Sequence, residues 1–343
     1  MNEKRTDIAS IGEFGLIEKI KSKFSDLRQA STIKSIGDDA AVIDCGQELR
    51  VVTTDMLVEG VHFDLTYMPL KHLGFKAVAV NISDLAAMNA MPEQITVGIA
   101  ISNRFSVEAV EEIYEGIKIA CDAYKVDLIG GDTTSSRSGL ILSITAIGRS
   151  SADQVVYRSG AKENDILCVT GDLGGAYMGL QVLEREKQVF LSNPDMQPEF
   201  SDKDYLLQKQ LRPEARMDFI HSLKDLGVKP GAMIDISDGL ASELLHITTA
   251  SGVGATIYED KLPIDQLTFD TAREFDMDPL TIMLNGGEDY ELLFTISQDD
   301  YKKLKNHPDI SFIGHITTKE SGVHIVTKGE NVVPVTAQGW KHF

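Results

Sequence analysis

Five times the chain sets carboxylates beside glycine, serine or threonine, each at what reads as a strand end or a helix start. These are Asp38 and Asp39 in GDDAAVID, Asp55 in LRVVTTD, Asp132 in LIGGDTT, Asp235 and Asp238 in MIDISDGL, and Glu288 and Asp289 in NGGEDYEL. A further carboxylate, Asp84, shares a helical stripe with Leu73, Ala77 and Val80 at 4-3-4 spacing, so it stands on an otherwise apolar face. A buried carboxylate must find a partner or bear the cost of desolvation. Taken singly, each has a structural reading: Asp38 or Asp238 can cap a turn or helix, Asp132 can stabilise a GGD turn, and Asp84 can pair with a buried Arg or backbone amides. Taken together, carboxylates from separated elements share a pocket only if cations hold them there, because like charges repel. Oxygen ligands without a Cys or His cluster fit Mg²⁺, with Mn²⁺ as the alternative, rather than zinc. The pattern thus points to a metal-assisted phosphate site and does not name the reaction.

Composition removes several classes. The 343 residues carry 33 Lys+Arg against 52 Asp+Glu, a formal charge of −19, which excludes a basic nucleic-acid footprint. That charge also argues against an anionic substrate, but a site can reverse the sign locally. Cys45, Cys121 and Cys168 lie far apart with no CxxC, so neither a disulfide framework nor a zinc ribbon is expected. No signal-type apolar region opens the chain and no apolar run approaches the roughly 20 residues of a membrane span. The expectation is a cytoplasmic protein with no membrane partner.

Periodicity predicts a helix at 12–24 with Phe14, Ile17, Ile20 and Phe24 on one stripe. Strands at 40–44 and 49–55 read as a hairpin through CGQE, followed by an Ala-rich helix near 70–90 and a strand at 94–101. Ser106 caps a helix to Tyr124 whose stripe is Val107, Val110, Tyr114, Ile117, Cys121 and Tyr124. VDLIGGD and GLILSITAIG complete a first unit, residues 1–150. A second unit, 151–343, opens on DILCVTG and continues with a helix at 214–226, the strand AMIDIS, a helix from Asp238 and closing strands. Its polar stretch 185–213, with Pro194, Pro198 and Pro213, reads as an insertion or long connection. Strands joined as hairpins and mixed with helices predict two α+β domains with mixed sheets rather than one doubly wound sheet.

The single-motif enzymes are excluded. No glycine is followed by lysine, so there is no Walker A loop, and HRD, DFG and HExxH are missing. GDLGGAYMGL follows a strand and opens a helix; tight strand-to-helix packing is its first reading and a phosphate-binding turn its second.

The segments GDDAAVI, TTDMLVEGVHF, NISDLAAMNAMP, GGDTT, RSGAK, GDLGGA, DISDGL and GGEDYEL, with the terminal GW-x-HF, run in order from residue 37 to 343. In this order they resemble the thiamine-monophosphate kinase family, within the superfamily of aminoimidazole ribonucleotide synthetase and selenophosphate synthetase. The resemblance implies transfer of the γ-phosphoryl of ATP to thiamine monophosphate, and a homodimer built through the N-terminal sheets. It implies magnesium ligands at Asp38, Thr53, Thr54, Asp55, Asp84, Asp132, Asp235 and Asp238, of which Asp38, Asp132 and Asp238, with Arg158, count as catalytic. It places ATP against Tyr114, Gly131, Asp132, Arg158 and Ser237, and thiamine monophosphate against His62, Glu288 and Trp340. Trp340 either stacks on the thiamine ring or anchors the terminus. His62 follows EGV in a predicted loop, which favours a substrate contact over a buried structural role. The competing readings are a sister enzyme with another acceptor and a non-catalytic nucleotide- or metal-binding regulator on the same scaffold.

Overall fold

The computed structural model describes residues 12–23, 28–196 and 198–337, without the side chains of Glu13 and Lys23. The first helix, α1 (Gly12–Lys23), lies where its periodicity predicts, and Phe24 falls outside the described residues. β1 (Thr32–Lys34), β2 (Ala41–Asp44) and β3 (Leu49–Val58) follow, and the β2–β3 hairpin closes through Cys45 N–H donating to the Glu48 carbonyl at 3.0 Å. α2 (Leu70–Ala87), β4 (Met91–Ile101), α3 (Val107–Tyr124), β5 (Asp127–Ser135) and β6 (Ile141–Ser150) complete a six-stranded sheet of order β1-β2-β3-β6-β4-β5. Only the β4–β5 pairing in it is parallel.

Ser106 caps α3 as expected, its hydroxyl accepting from Ala109 N–H at 3.3 Å. The buried stripe is Ile113, Gly116, Ile117, Ala120 and Cys121, whereas Val107 is 70% exposed. The predicted stripe therefore begins too early: α3 meets α2 from Ile113 onward, where Gly116 and Gly74 mark the close approach.

The second unit holds β7 (Ile166–Thr170), α4 (Gly175–Ser192), α5 (Asp204–Leu211), α6 (Met217–Leu226), β8 (Met233–Asp235), α7 (Leu240–Ser251) and β9 (Gly254–Tyr258). It ends with α8 (Gln266–Glu274), α9 (Pro279–Asn285), β10 (Leu292–Ile296), α10 (Tyr301–Leu304), β11 (Ile310–Thr317), β12 (Val323–Val326) and β13 (Val332–Pro334). Its seven-stranded sheet runs β13-β12-β9-β11-β7-β10-β8, with β9–β12 the parallel pair. Two mixed sheets with helices are the α+β architecture the sequence predicts. The polar stretch 185–213 is a correction, since α4 extends to Ser192 and α5 occupies 204–211. Leu206 of α5 buries with Met178, Ala272 and Ile282, so the segment is packed structure. Its charges include buried Glu186, and Lys209, which pairs with buried Glu291 at 2.9 Å.

One apolar cluster, distinct from a second that includes Leu167 and Ile257, is common to the two sheets. It holds Phe219 of α6 and joins Val97 and Ile144 of the first sheet to Phe294 of the second. Between them lies α2, which packs on β3, β4 and β6 and also on β8, and which buries 14 of its 18 residues. A helix enclosed on both sides must satisfy every polar side chain it carries. The polar residues of α2 are where the site begins.

Candidate active site

β3 alternates its side chains, so Thr53 and Asp55 face α2 while Thr54 faces away. Thr53 Oγ1 donates to Asp84 Oδ2 at 2.5 Å and lies 3.2 Å from the Asp39 carbonyl oxygen. Asp55 N–H donates to Asn81 Oδ1 at 3.0 Å, and Ser83 Oγ donates to Asp235 Oδ2 at 2.7 Å across the boundary between the units. Arg158 grips Asp39 with Nε at 3.1 Å and Nη2 at 3.0 Å, a bidentate pair in which the carboxylate is fully buried.

The result is a cluster in which Asp39, Asp84 and Asp235 each offer one carboxylate oxygen, all within 4.8 Å of one another. Burial is the largest influence on each and raises all three above the ordinary carboxylate range. Asp235 reaches about 8, with the neighbouring Asp39 as the next contribution. Asp84 is pushed up further by Asp55, Asp235 and Asp39, and Asp55 itself rises to about 6 through burial and Asp39. At 4 Å, two unit charges repel by roughly 4 kcal/mol at an effective dielectric of 20, so three in contact either hold protons or share a cation. Hard oxygen donors without thiolate or imidazole fit Mg²⁺ or Mn²⁺.

Of the residues the resemblance names, the structure gathers Thr53, Asp55, Asp84 and Asp235, with Arg158 beside them through Asp39. Ser237 and Asp238 follow β8 directly, their N–H groups donating to Glu243 Oε1 at 3.1 and 2.7 Å. Glu288 joins this loop, since its N–H donates to the Ser237 carbonyl at 2.7 Å. Asp38 is held by Lys34 at 2.8 Å and by the Arg158 N–H at 3.0 Å, leaving its neighbour Asp39 to enter the cluster. Thr54 lies on the opposite face of the sheet, donating to the Ile144 carbonyl and accepting from Thr145. It does not join the others because a strand turns successive side chains to opposite faces.

Asp132 does not end a strand. It is exposed in the interior of β5, paired with Gly98, and stands outside the cluster. The double glycine is no turn here: a Cβ at Gly131 would come 2.0 Å from the Val97 carbonyl oxygen, so close strand approach is what requires it. Tyr114 packs from α3 against the apolar cluster common to the two sheets. His62 sits in the turn after β3, with Nδ1 accepting from Val58 N–H at 3.0 Å. That loop is tied to α4 by Asp64 with Lys187 at 2.8 Å and Tyr67 with Glu184 at 2.8 Å. Trp340 lies outside the described residues.

Sequence reasoning passed over Asp39 as a ligand, and it passed over Ser83, Asn81 and Lys76. Ser83 and Asn81 flank Asp84 in NISD, and Lys76 interrupts the apolar run FKAVAV, so a polar residue on a buried helix was the available signal. GDLGGA follows its first reading. Asp289 caps α4 by accepting from Gly174 N–H at 2.8 Å and Ala176 N–H at 3.4 Å, so the chain's own carboxylate holds that helix start.

Comparison with known proteins extends over the whole architecture. Residues 37–150 match the family described as AIR synthase related protein, N-terminal domain, and residues 162–327 match its C-terminal domain. The chain is 35% identical over 342 residues to the thiamine-monophosphate kinase of Bacillus subtilis (strain 168), covering 96% of this chain and 99% of that one. It is 33% identical over 337 residues to the thiamine-monophosphate kinase of Aquifex aeolicus (strain VF5), covering 98% and 99%. A solved structure of AaThiL complexed with AMPPCP and TMP superposes with a TM-score of 0.84 at 31% identity, over 99% of this chain and 100% of that chain.

Proposed function

The chain belongs to the thiamine-monophosphate kinase family of AIR-synthase-related proteins, and from this we propose that it transfers the γ-phosphoryl group of ATP to thiamine monophosphate, giving thiamine diphosphate and ADP. The observation that carries the reading is the convergence of Asp39, Asp84 and Asp235 from separate elements of both units.

The acceptor is a phosphate monoester with a second pKa near 6, so its attacking oxygen is largely deprotonated at neutral pH and needs no general base. This agrees with a cluster that contains no histidine. The P–O bond forms between that oxygen and the γ-phosphorus as the β–γ bridge breaks, and in-line approach requires both polyanions to be held together. Asp39, Asp84 and Asp235, with Asp55 coupled to them, would hold Mg²⁺, which when bound would supply the positive charge that offsets the repulsion between the two polyanions. Thr53 and Ser83 fix the orientation of Asp84 and Asp235, and Arg158 fixes Asp39. Glu288 lies at the same boundary, tied to the Ser237 loop, and we assign it and His62 to the acceptor and Ser237 to the nucleotide.

Incubation with ATP, Mg²⁺ and thiamine monophosphate tests the reading. Thiamine diphosphate should form, chelator should abolish it, and Asp235→Asn should do the same with the fold retained. An unchanged rate in Asp235→Asn would remove the cluster from the reaction. A chiral γ-phosphate should emerge inverted; retention would require a phosphoenzyme instead. We also assign a homodimer through the first sheet, supported by exposed Met56 on β3 and exposed Leu128 and Ile129 on the edge strand β5. Light scattering checks it.

A further inference from the structure

Lys76 is fully buried on α2, yet its partner reaches the solvent-facing side of the boundary between the units. Its Nζ lies 3.0 Å from Glu288 Oε1 and donates to the Gln210 carbonyl at 3.1 Å, while Gln210 Nε2 donates to Glu288 Oε2 at 2.7 Å. Both carboxylate oxygens of Glu288 are thus taken by donors on buried side chains, one from α2 and one from α5. The backbone is fixed as well: Gly287 and Glu288 occupy the left-handed region at φ 71° and 57°, and Glu288 N–H is bound to Ser237. A non-glycine residue is held there only where the surroundings over-determine it.

We infer that Lys76 and Gln210 form a clamp that aims Glu288 at the acceptor and so sets acceptor recognition. The inference rests on the reading of Glu288 as an acceptor contact. A buried lysine serving the fold alone could be replaced by an apolar side chain of equal length, since isolated buried charge costs stability. This one instead holds a carboxylate whose side chain keeps 29% exposure. With one donor on each oxygen the plane of the carboxylate is fixed, and each oxygen keeps a further lone pair with which to accept from a ligand. Thiamine monophosphate offers two groups suited to a fixed carboxylate, the permanent cation of its thiazolium ring and the exocyclic amine of its pyrimidine. Lys76 and Gln210 are positioning residues, since they act through Glu288.

Steady-state kinetics on Lys76→Met, Glu288→Gln and the double variant, with each substrate varied in turn, test the clamp. Lys76→Met should raise KM for thiamine monophosphate about 10- to 100-fold, the range for loss of an orienting partner, and leave KM for ATP within about twofold. The double variant should be no worse than Glu288→Gln. An equal rise in both KM values, or effects that multiply in the double variant, would overturn the clamp by showing a general structural role. Glu288→Gln without effect on the acceptor overturns the assignment of Glu288, and the clamp with it. An effective Glu288→Gln beside a silent Lys76→Met overturns the clamp alone. Should Lys76→Met fail to fold, Gln210→Met removes the second donor and leaves the ammonium paired. It should raise KM for thiamine monophosphate several-fold with ATP unaffected, and an unchanged acceptor KM overturns the clamp.

Discussion

Asp84 carries the most concentrated conflict in the molecule. It stands on a helix enclosed by both sheets, with Thr53 donating to it at 2.5 Å and two other carboxylates within reach. Without a cation, burial and its acidic neighbours favour the protonated form of Asp84, and an amide mimics that neutral acid, so the exchange spares the metal-free protein while removing a ligand from the reaction. Asp84→Asn should therefore lower turnover by on the order of a hundredfold or more. In chelator its melting temperature should match or exceed that of the parent, measured by calorimetry beside the kinetic assay. A loss of both activity and metal-free stability would mean that Asp84 serves the fold. Asp84 was legible because helical period alone put a carboxylate on an apolar stripe. Asp39 was not, because GDD offers adjacent carboxylates and spacing cannot say which one Lys34 will hold and which one Arg158 will take. Lys76 was hidden for a related reason: its meaning lies in Glu288, far along the chain, and no local pattern announces a pair across two units.

At the scale of elements, the organising piece is α2, which presents Lys76, Asn81, Ser83 and Asp84 to separate partners. Its position depends on glycine at the crossing with α3. A Cβ on Gly116 would lie 1.9 Å from the Lys71 carbonyl oxygen, and one on Gly74 would lie 2.0 Å from that of Ile113. The obstacles are backbone, so neither helix can yield by rotating a side chain. Gly116→Ala should cost about 1–3 kcal/mol of stability, the usual range for overpacking, read as a lowered denaturant midpoint. Because α2 would shift with it, turnover should fall although Gly116 touches no substrate. Elements with strong period were legible, including the β2–β3 hairpin and the capped start of α3. The polar stretch at 185–213 was misread because α4 and α5 bury few residues each, and their charged faces outweigh that signal. Asp132 was misplaced because GG resembles a turn in sequence, while in the sheet it answers a close approach to β4.

For the whole molecule, the acidity behind the formal charge of −19 is not all solvated surface: Glu186, Glu243, Asp289 and Glu291 are buried elsewhere, and Asp39, Asp84 and Asp235 form a small set that the fold forces together. That set joins the two units, since Asp39 and Asp84 belong to the first and Asp235 to the second. Its cost depends on pH in a direction that can be worked out. An aspartate titrates near 3.9 unfolded, and Asp235 is raised to about 8 by burial and by Asp39. Between those values the folded chain binds more protons than the unfolded chain, so this group's stability contribution falls as pH rises and is lost through pH 8. Glu243, raised to about 8, and Asp289, raised to about 7, both chiefly by burial, slope the same way. His246, lowered to about 4 by burial, slopes oppositely, but only below its unfolded value near 6.5. Between pH 6.5 and 8 the chelated protein should therefore lose melting temperature steadily. Under the proposed function Mg²⁺ would take the place of the protons on the cluster and leave Glu243 and Asp289 to titrate, so the gain in melting temperature on adding it should grow from pH 6.5 to 8. In Asp235→Asn that growth should shrink. A Mg²⁺ gain that is the same at both ends of the window would mean that the cation binds elsewhere, and that the two units are joined at this cluster by protons alone.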